Sequence, residues 1–224
     1  MVMEFFRRGD SGLERIESRI ISMLGDARHS FDLAANVVLS GGDPGLVAGD
    51  IRDTDDRINQ TEQELRSELV VHVAVQGSTD IGTVLGYTLL IKKIERIGDQ
   101  AKNILDLAFE GVSFADAPDV AELAAHHQTV SALFGEAAEL LSAPDQAAID
   151  DYRHRADELR HHFEDKLRGY MHSSEPGSEV VPRAILYRYL KRIVANLAGV
   201  LTTASEPLQH QDYFDAGQTD IDDD

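Results

Sequence analysis

The sequence predicts an all-α protein built from two tandem antiparallel three-helix bundles that are related as a pseudo-twofold repeat. Apolar residues recur at spacings of three and four along six segments, and patterns typical of strands are nearly absent. The third segment of each half also carries the same apolar frame. Because 42% of the 224 residues are hydrophobic, each half has enough apolar side chains to form a core.

Turn residues divide the first half into three predicted helices. The first spans about 13–39 and ends before Gly41. Pro44 suits the first turn of a second helix over roughly 44–76. The segment QGSTD separates that helix from a third, which reaches about Phe109.

The second half repeats this plan, with breaks at SAPD and HSSEPGSEVVP. Its helices are predicted at about 118–142, 144–172 and 180–206. We therefore assign the first bundle to 1–112 and a second, degenerate bundle to 113–206. The remaining segment, 207–224, is rich in aspartate and has no lysine or arginine, which predicts a disordered acidic tail.

The composition excludes several classes of function. Forty acidic against 21 basic residues give a formal charge of −19, so nucleic acid is not an expected partner. An aspartate-rich, lysine-poor chain is typical of halophilic archaea, which is the origin that we predict. The absence of cysteine rules out thiolate metal sites and disulfides. Neither a long apolar run nor a signal-peptide pattern is present, which predicts a cytoplasmic protein.

Two carboxylates stand one helical turn apart in the segment LLIKKIERIGDQAKNIL. Glu95 and Asp99 are like charges at a spacing that costs about 0.2 to 0.5 kcal/mol in an isolated helix, so the pair indicates a bound cation. The equivalent segment of the second half, ILYRYLKRIVANLAGVL, keeps the apolar frame but has Lys191 and Ala195 at the two acidic positions. The fold therefore does not need the pair.

The predicted second helix has an acidic stripe of its own. In GDIRDTDDRINQ, Asp50, Asp53 and Asp56 recur every three residues, on the side opposite Ile51 and Ile58. If the second and third helices are neighbours, their acidic edges meet and offer the oxygen ligands that hard cations prefer. The alternative is a solvated acidic surface that binds nothing.

These motifs together resemble the PhoU family of phosphate-uptake regulators. The resemblance rests on IERIGDQAKNI, on DTDDRINQTE before it and on MLGDARHSFDLAANVVLSGGD in the first helix, and it covers 13–112 better than the second half. It implies surface E(D)xxxD motifs that hold metal ions, iron first, with manganese, magnesium or calcium as alternatives. It also implies that Glu95 and Asp99 are the retained motif, with Asp53 and Asp56 as partners.

The resemblance further implies a non-enzymatic regulator. Its partners would be the ATPase of a phosphate ABC transporter, or another membrane transport component, and a sensor kinase, with a homodimer also expected. Two alternatives stay open: a regulator of another ion transport system such as potassium on the same fold, and a carboxylate-bridged metal-binding protein or enzyme. No nucleophile elbow, phosphate loop or HExxH motif occurs, so no catalytic residue is predicted.

Two further features have local interpretations. The histidine pairs at 126–127 and 161–162 are interpreted as surface residues, with a nitrogen-rich metal site that includes His154 as the alternative. Gly98, inside the RIGD motif, lets a second helix or a ligand approach closely, and it is interpreted as a packing residue.

Overall fold

The computed structural model describes residues 11–205, and within that range the chain is helical with no strand. The six helices are α1 (Ser11–Ser40), α2 (Gly45–Gln76), α3 (Ile81–Phe109), α4 (Val120–Ser142), α5 (Gln146–Met171) and α6 (Gly177–Ser205). A short 3-10 helix, Gly77–Asp80, joins α2 to α3. The all-α prediction is confirmed, and the predicted acidic tail at 207–224 lies outside the described residues.

The helices end where turn chemistry requires it. Gly41 and Gly77 have φ angles of 69° and 78°, a left-handed conformation that favours glycine, and they follow α1 and α2. The carboxylate of Asp145 accepts a hydrogen bond from the backbone N–H of Ala148 and caps α5. These local signals explain why the predicted helix boundaries lie close to the observed ones.

One hydrophobic core runs through the whole described chain. Helices α1, α2 and α3 pack on one another, α5 packs along α6, and α4 packs against α1 and α6. The two halves meet where α1 contacts α4 and α3 contacts α6. The largest fully buried side chains of this core are aromatic: Phe31, Tyr87, Phe134, Tyr152, Phe163 and Tyr187.

The contact between α1 and α4 is both apolar and polar. The rings of Phe31 and Phe134 stack with centroids 5.7 Å apart. Beside them, an oxygen of Asp32 lies 2.9 Å from Nε2 of His127, and the other accepts a bond from Ser131 at 3.1 Å. Burial raises the pKa of Asp32, but the bonds to His127 and Ser131 outweigh it, so the net shift is downward. His127 therefore belongs to an interface between the halves, which differs from its interpretation as a surface residue.

The contact between α3 and α6 depends on a glycine. The Lys93 side chain crosses Gly199, and its Cδ and Cε lie 3.2 Å from the position that a Cβ on Gly199 would occupy. Burial lowers the pKa of Lys93. The aliphatic part of the lysine covers the glycine backbone, as long amphipathic side chains do elsewhere.

Candidate metal and partner-binding site

Helices α2 and α3 form an antiparallel pair whose register is set by two contacts. Lys102 Nζ of α3 lies 2.9 Å from Asp55 Oδ1 of α2. Further along, a Cβ on Gly98 would lie 3.3 Å from Cδ1 of Ile58, so the interpretation of this glycine as a packing residue is confirmed. Continuing the same register places Glu62 of α2 level with the E-R-I-G-D motif of α3.

The two carboxylates of that motif have different environments. The Glu95 side chain is only 15% exposed, and its Oε2 lies 2.6 Å from Lys92 Nζ but has no hydrogen bond of normal geometry. Asp99 is 44% exposed and lies 3.0 Å from Lys102 Nζ. The Glu95 side chain is therefore turned toward the contact between α2 and α3, whereas the Asp99 side chain faces solvent.

On α2, the residue that meets Asp99 is Asp55. Lys102 bridges the two carboxylates, and Asn59 donates a hydrogen bond to the second oxygen of Asp55 at 3.2 Å. Asp53 and Asp56 are exposed on the outer side of α2. The structure thus brings Asp55 to the acidic edge, and the assignment of Asp53 and Asp56 as metal ligands stays a prediction.

Lys102 remains charged in this position. Burial lowers its pKa, but hydrogen bonds and charge attraction from Asp55 and Asp99 outweigh that effect, so the net shift is upward. A protonated amine can hold two carboxylates together at the place where a metal ion was predicted.

Sequence reasoning missed Glu62, whose side chain is 10% exposed. Its Oε1 is buried and lies 2.7 Å from Arg66 Nη2, without the geometry of a hydrogen bond. The sequence contains a pattern that could have identified Glu62. Asp55, Asn59 and Glu62 form a stripe at spacings of four and three, beside the buried Ile58. Together with Glu95 and Asp99, this stripe defines what we call the acidic edge.

The donors of the acidic edge suit a hard cation, since all are carboxylate or amide oxygens. Lysine and arginine side chains now neutralise them, and Lys92, Lys102 and Arg66 are 42%, 37% and 48% exposed. A metal ion would have to displace at least Lys102, whose flexible and partly exposed side chain allows it to move aside. Within residues 11–205, the one group of three metal-ligating side chains that already converges lies elsewhere, on α4 and α5.

In the second bundle an ion pair replaces the carboxylates. Lys191 Nζ lies 2.5 Å from Glu164 Oε2, and Arg168 lies 3.3 Å from the other oxygen. The bond from Lys191 is the main reason that the pKa of Glu164 is lowered. This bundle therefore supplies its own cation at the position that matches the acidic edge.

A second surface feature lies at the end of the first bundle where α2 leads into α3. Six large apolar side chains are exposed there, from 41% for Leu89 to 74% for Val75. We call this group the apolar tip; it consists of Val70, Val71, Val75, Ile81, Leu85 and Leu89. A groove of about 420 Å³ between α1 and α2 adjoins it. No helix of the described range is long and apolar enough to cross a membrane.

Comparison with known proteins agrees with this architecture. Residues 20–108, which include the acidic edge and the apolar tip, match the family model of the PhoU domain. The structure is similar to the crystal structure of PhoU from Pseudomonas aeruginosa, with a TM-score of 0.75, 21% sequence identity, and coverage of 88% of this chain and 97% of that chain. No curated protein matches the sequence. The chain thus contains a segment that matches the PhoU domain, and its six helices have the PhoU-like fold.

Proposed function

We propose that the protein is a PhoU-like regulator of phosphate uptake that acts through contacts with other proteins and catalyses no reaction. The observation that carries this proposal is the match of residues 20–108 to the PhoU domain. The similarity of the fold to that of PhoU from Pseudomonas aeruginosa supports it. Control of another transport system, such as potassium uptake, is the alternative that the same fold allows.

The apolar tip is the surface that we propose for the protein partner. Val71 and Val75 are 61% and 74% exposed, one turn apart on α2, and Leu85 of α3 is 50% exposed at the same end. Exposed groups of large apolar side chains mark protein interaction sites, because burying them recovers about 25 cal/mol per Å². The partner would be the ATPase subunit of a phosphate ABC transporter, which would hold an otherwise cytoplasmic protein at the membrane.

The acidic edge has a supporting role in this proposal. Glu95 and Asp99, with Asp55 and Glu62 and the predicted partners Asp53 and Asp56, would hold iron, manganese, magnesium or calcium ions. The buried oxygens of Glu62 and Glu95 without normal hydrogen bonds support this, because such oxygens gain most from a cation. A bound ion would join α2 and α3 below the apolar tip and fix their relative position.

A binding measurement with matched variants tests the partner surface. The purified ATPase subunit of the phosphate transporter from the same genome would be titrated with wild-type protein and with the Val71→Asp and Val75→Asp variants. We expect wild type to bind and both variants to lose binding, since each places a charge in a desolvated contact. Val181→Asp is the control, because Val181 is 52% exposed on α6, at the opposite end of the molecule.

Transport assays separate phosphate control from the alternative. Deletion of the gene should change the uptake of radiolabelled phosphate and leave the uptake of a potassium analogue unchanged. Unchanged phosphate uptake, or a change confined to the potassium analogue, would reject the proposal. In fractionation, the protein should move from membranes to the soluble fraction when the transporter ATPase is absent.

A further inference from the structure

Three metal-ligating side chains meet on the second bundle, away from the acidic edge. Glu122 and His126 lie one turn apart on α4, and His162 faces them from α5. One ligand atom from each lies within 4.8 Å of the other two. In the part of the chain that the structure describes, no other group of three potential ligands is this close.

The distance between the Nε2 atoms of the two imidazoles matches that of two nitrogen ligands on one metal ion. Nε2 of His126 and Nε2 of His162 are 3.2 Å apart. Two nitrogens that each lie about 2.0 to 2.1 Å from one zinc ion, at a tetrahedral angle, are about 3.3 Å apart. An ion could therefore enter between the rings with hardly any movement of their nitrogen atoms relative to each other.

The orientation of His126 is fixed by its surroundings. Its Nδ1 lies 3.2 Å from the hydroxyl of Tyr187, whose ring is fully buried. The rings of Phe163 and Tyr187 pack against the imidazole in edge-to-face contacts, with centroids 5.2 and 5.6 Å away. A histidine whose Nδ1–H donates to an outer partner presents Nε2 to a metal, and such partners commonly raise metal affinity.

The charge around the site is compatible with a cation. Lys166 Nζ lies 2.5 Å from Oε1 of Glu122, which leaves the second carboxylate oxygen for an ion. His162 is exposed, so an ion can reach the site from solvent and can keep a water molecule as its fourth ligand. The strongly negative protein as a whole also attracts cations.

We propose that Glu122, His126 and His162 form a binding site for a divalent transition metal ion of the zinc type. Imidazole nitrogens favour zinc and its neighbours over magnesium or calcium, whereas the acidic edge offers oxygen alone. The site also joins α4 to α5, whereas the counterpart of the α2–α3 pair in the second bundle is α5 with α6. Because the backbones of α4 and α5 approach each other closely at few places, a bound ion would add a link to the side-chain contacts that join these two helices.

Calorimetric titration of the metal-free full chain with zinc chloride tests the proposal. We expect a saturable high-affinity site in wild type, with the affinity of this site weakened at least tenfold in the His162→Ala and Glu122→Gln variants, since loss of even an outer partner costs about 10- to 100-fold. The matched control is His161→Ala, because His161 is the neighbouring exposed residue and its Nδ1 contacts the backbone oxygen of Asp157. Cobalt, used as a probe, should give the visible absorption of a four-coordinate ion.

The same variants supply a second readout. At the same zinc concentration, the rise in melting temperature should be equal in wild type and His161→Ala, and clearly smaller in His162→Ala. Circular dichroism without metal checks that all variants fold, which is expected because His162 is on the surface. The proposal is overturned if wild type shows no saturable zinc binding, or if His162→Ala binds zinc as tightly as wild type does.

Discussion

Lys191 of α6, which the repeat aligns with Glu95 of α3, lies 2.5 Å from Glu164 of α5. The two bundles thus neutralise the charge at this position in different ways. The second bundle pairs Lys191 with a carboxylate of the neighbouring helix, whereas in the first bundle Glu95 is paired with Lys92 and Glu62 with Arg66, each within its own helix. The first arrangement leaves carboxylate oxygens available to another cation.

Removal of this ion pair should destabilise the second bundle. Lys191 and Glu164 are 24% and 22% exposed, so Lys191→Ala leaves a partly buried carboxylate and should cost about 1 to 2 kcal/mol. Urea unfolding at neutral pH measures the loss. Arg168→Ala is the control, because Arg168 contacts the same carboxylate but is 60% exposed and should cost less than about 0.5 kcal/mol. Equal losses in the two variants would contradict this interpretation.

The stability of the protein should fall in acid partly because of Asp119. Arg183, only 8% exposed, donates to both oxygens of Asp119 at 2.8 Å, and these bonds are the main reason that the pKa of this carboxyl lies below its ordinary value. The unfolded chain has the ordinary pKa of about 3.9. The contribution of the pair is therefore complete above about pH 5 and is lost as the pH falls through the native pKa.

Urea midpoints measured from pH 2 to pH 7 check this dependence. Asp119→Asn should be less stable than wild type at neutral pH, and the difference should shrink toward pH 2. Asp116→Asn, in the same connector but with an exposed side chain, should follow the wild-type profile. A constant difference between Asp119→Asn and wild type at every pH would show that the carboxylate charge is not the cause.

Enlargement of Gly98 should separate α2 from α3. A Cβ there already meets Ile58 at 3.3 Å, so Gly98→Leu should cost about 1 to 3 kcal/mol through overpacking. Gly25→Ala is the matched test of helix propensity, because Gly25 is exposed within α1 and its Cβ would meet nothing within 4 Å. That variant should gain about 1 kcal/mol. Chemical unfolding measures both, and a stable Gly98→Leu variant would show that the helices can move apart freely.

Salt should stabilise the protein. With a formal charge of −19, repulsion among carboxylates opposes the compact state, and the Debye length falls from about 10 Å at 0.1 M salt to about 3 Å at 1 M. We expect the melting temperature, measured by scanning calorimetry, to rise over this range of sodium chloride. A falling melting temperature would mean that surface ion pairs such as that of Arg19 with Glu64 outweigh the general repulsion.

The helices could be predicted from the sequence because each signal is local. The 3.6-residue apolar period, and breakers such as Gly41 and Pro44, act within a few residues and gave boundaries close to those observed. The composition of the acidic edge was only partly predictable. Rotation of α2 about its axis decides whether Asp55 or Asp56 faces α3, and a change of one residue turns a side chain by about 100°.

The group of Glu122, His126 and His162 could not be predicted from the sequence, for a second reason. His126 and His162 are 36 positions apart and belong to different helices, so their approach depends on how α4 and α5 are set against α6. Each histidine alone has the pattern of an ordinary surface residue. Only the packing of Tyr187 and Phe163 around one ring distinguishes the pair.

The two halves meet in an arrangement that follows the internal repeat of the sequence. Each helix at the boundary contacts its own counterpart in the repeat, α1 with α4 and α3 with α6. In the antiparallel pair that Lys93 and Gly199 define, Gly98 stands level with Val194, which is its equivalent in the repeat. Self-matched contacts of this kind are those of a symmetric homodimer. The two halves of one chain thus meet as identical three-helix subunits would meet around a twofold axis, although the second half has an ion pair where the first has carboxylates.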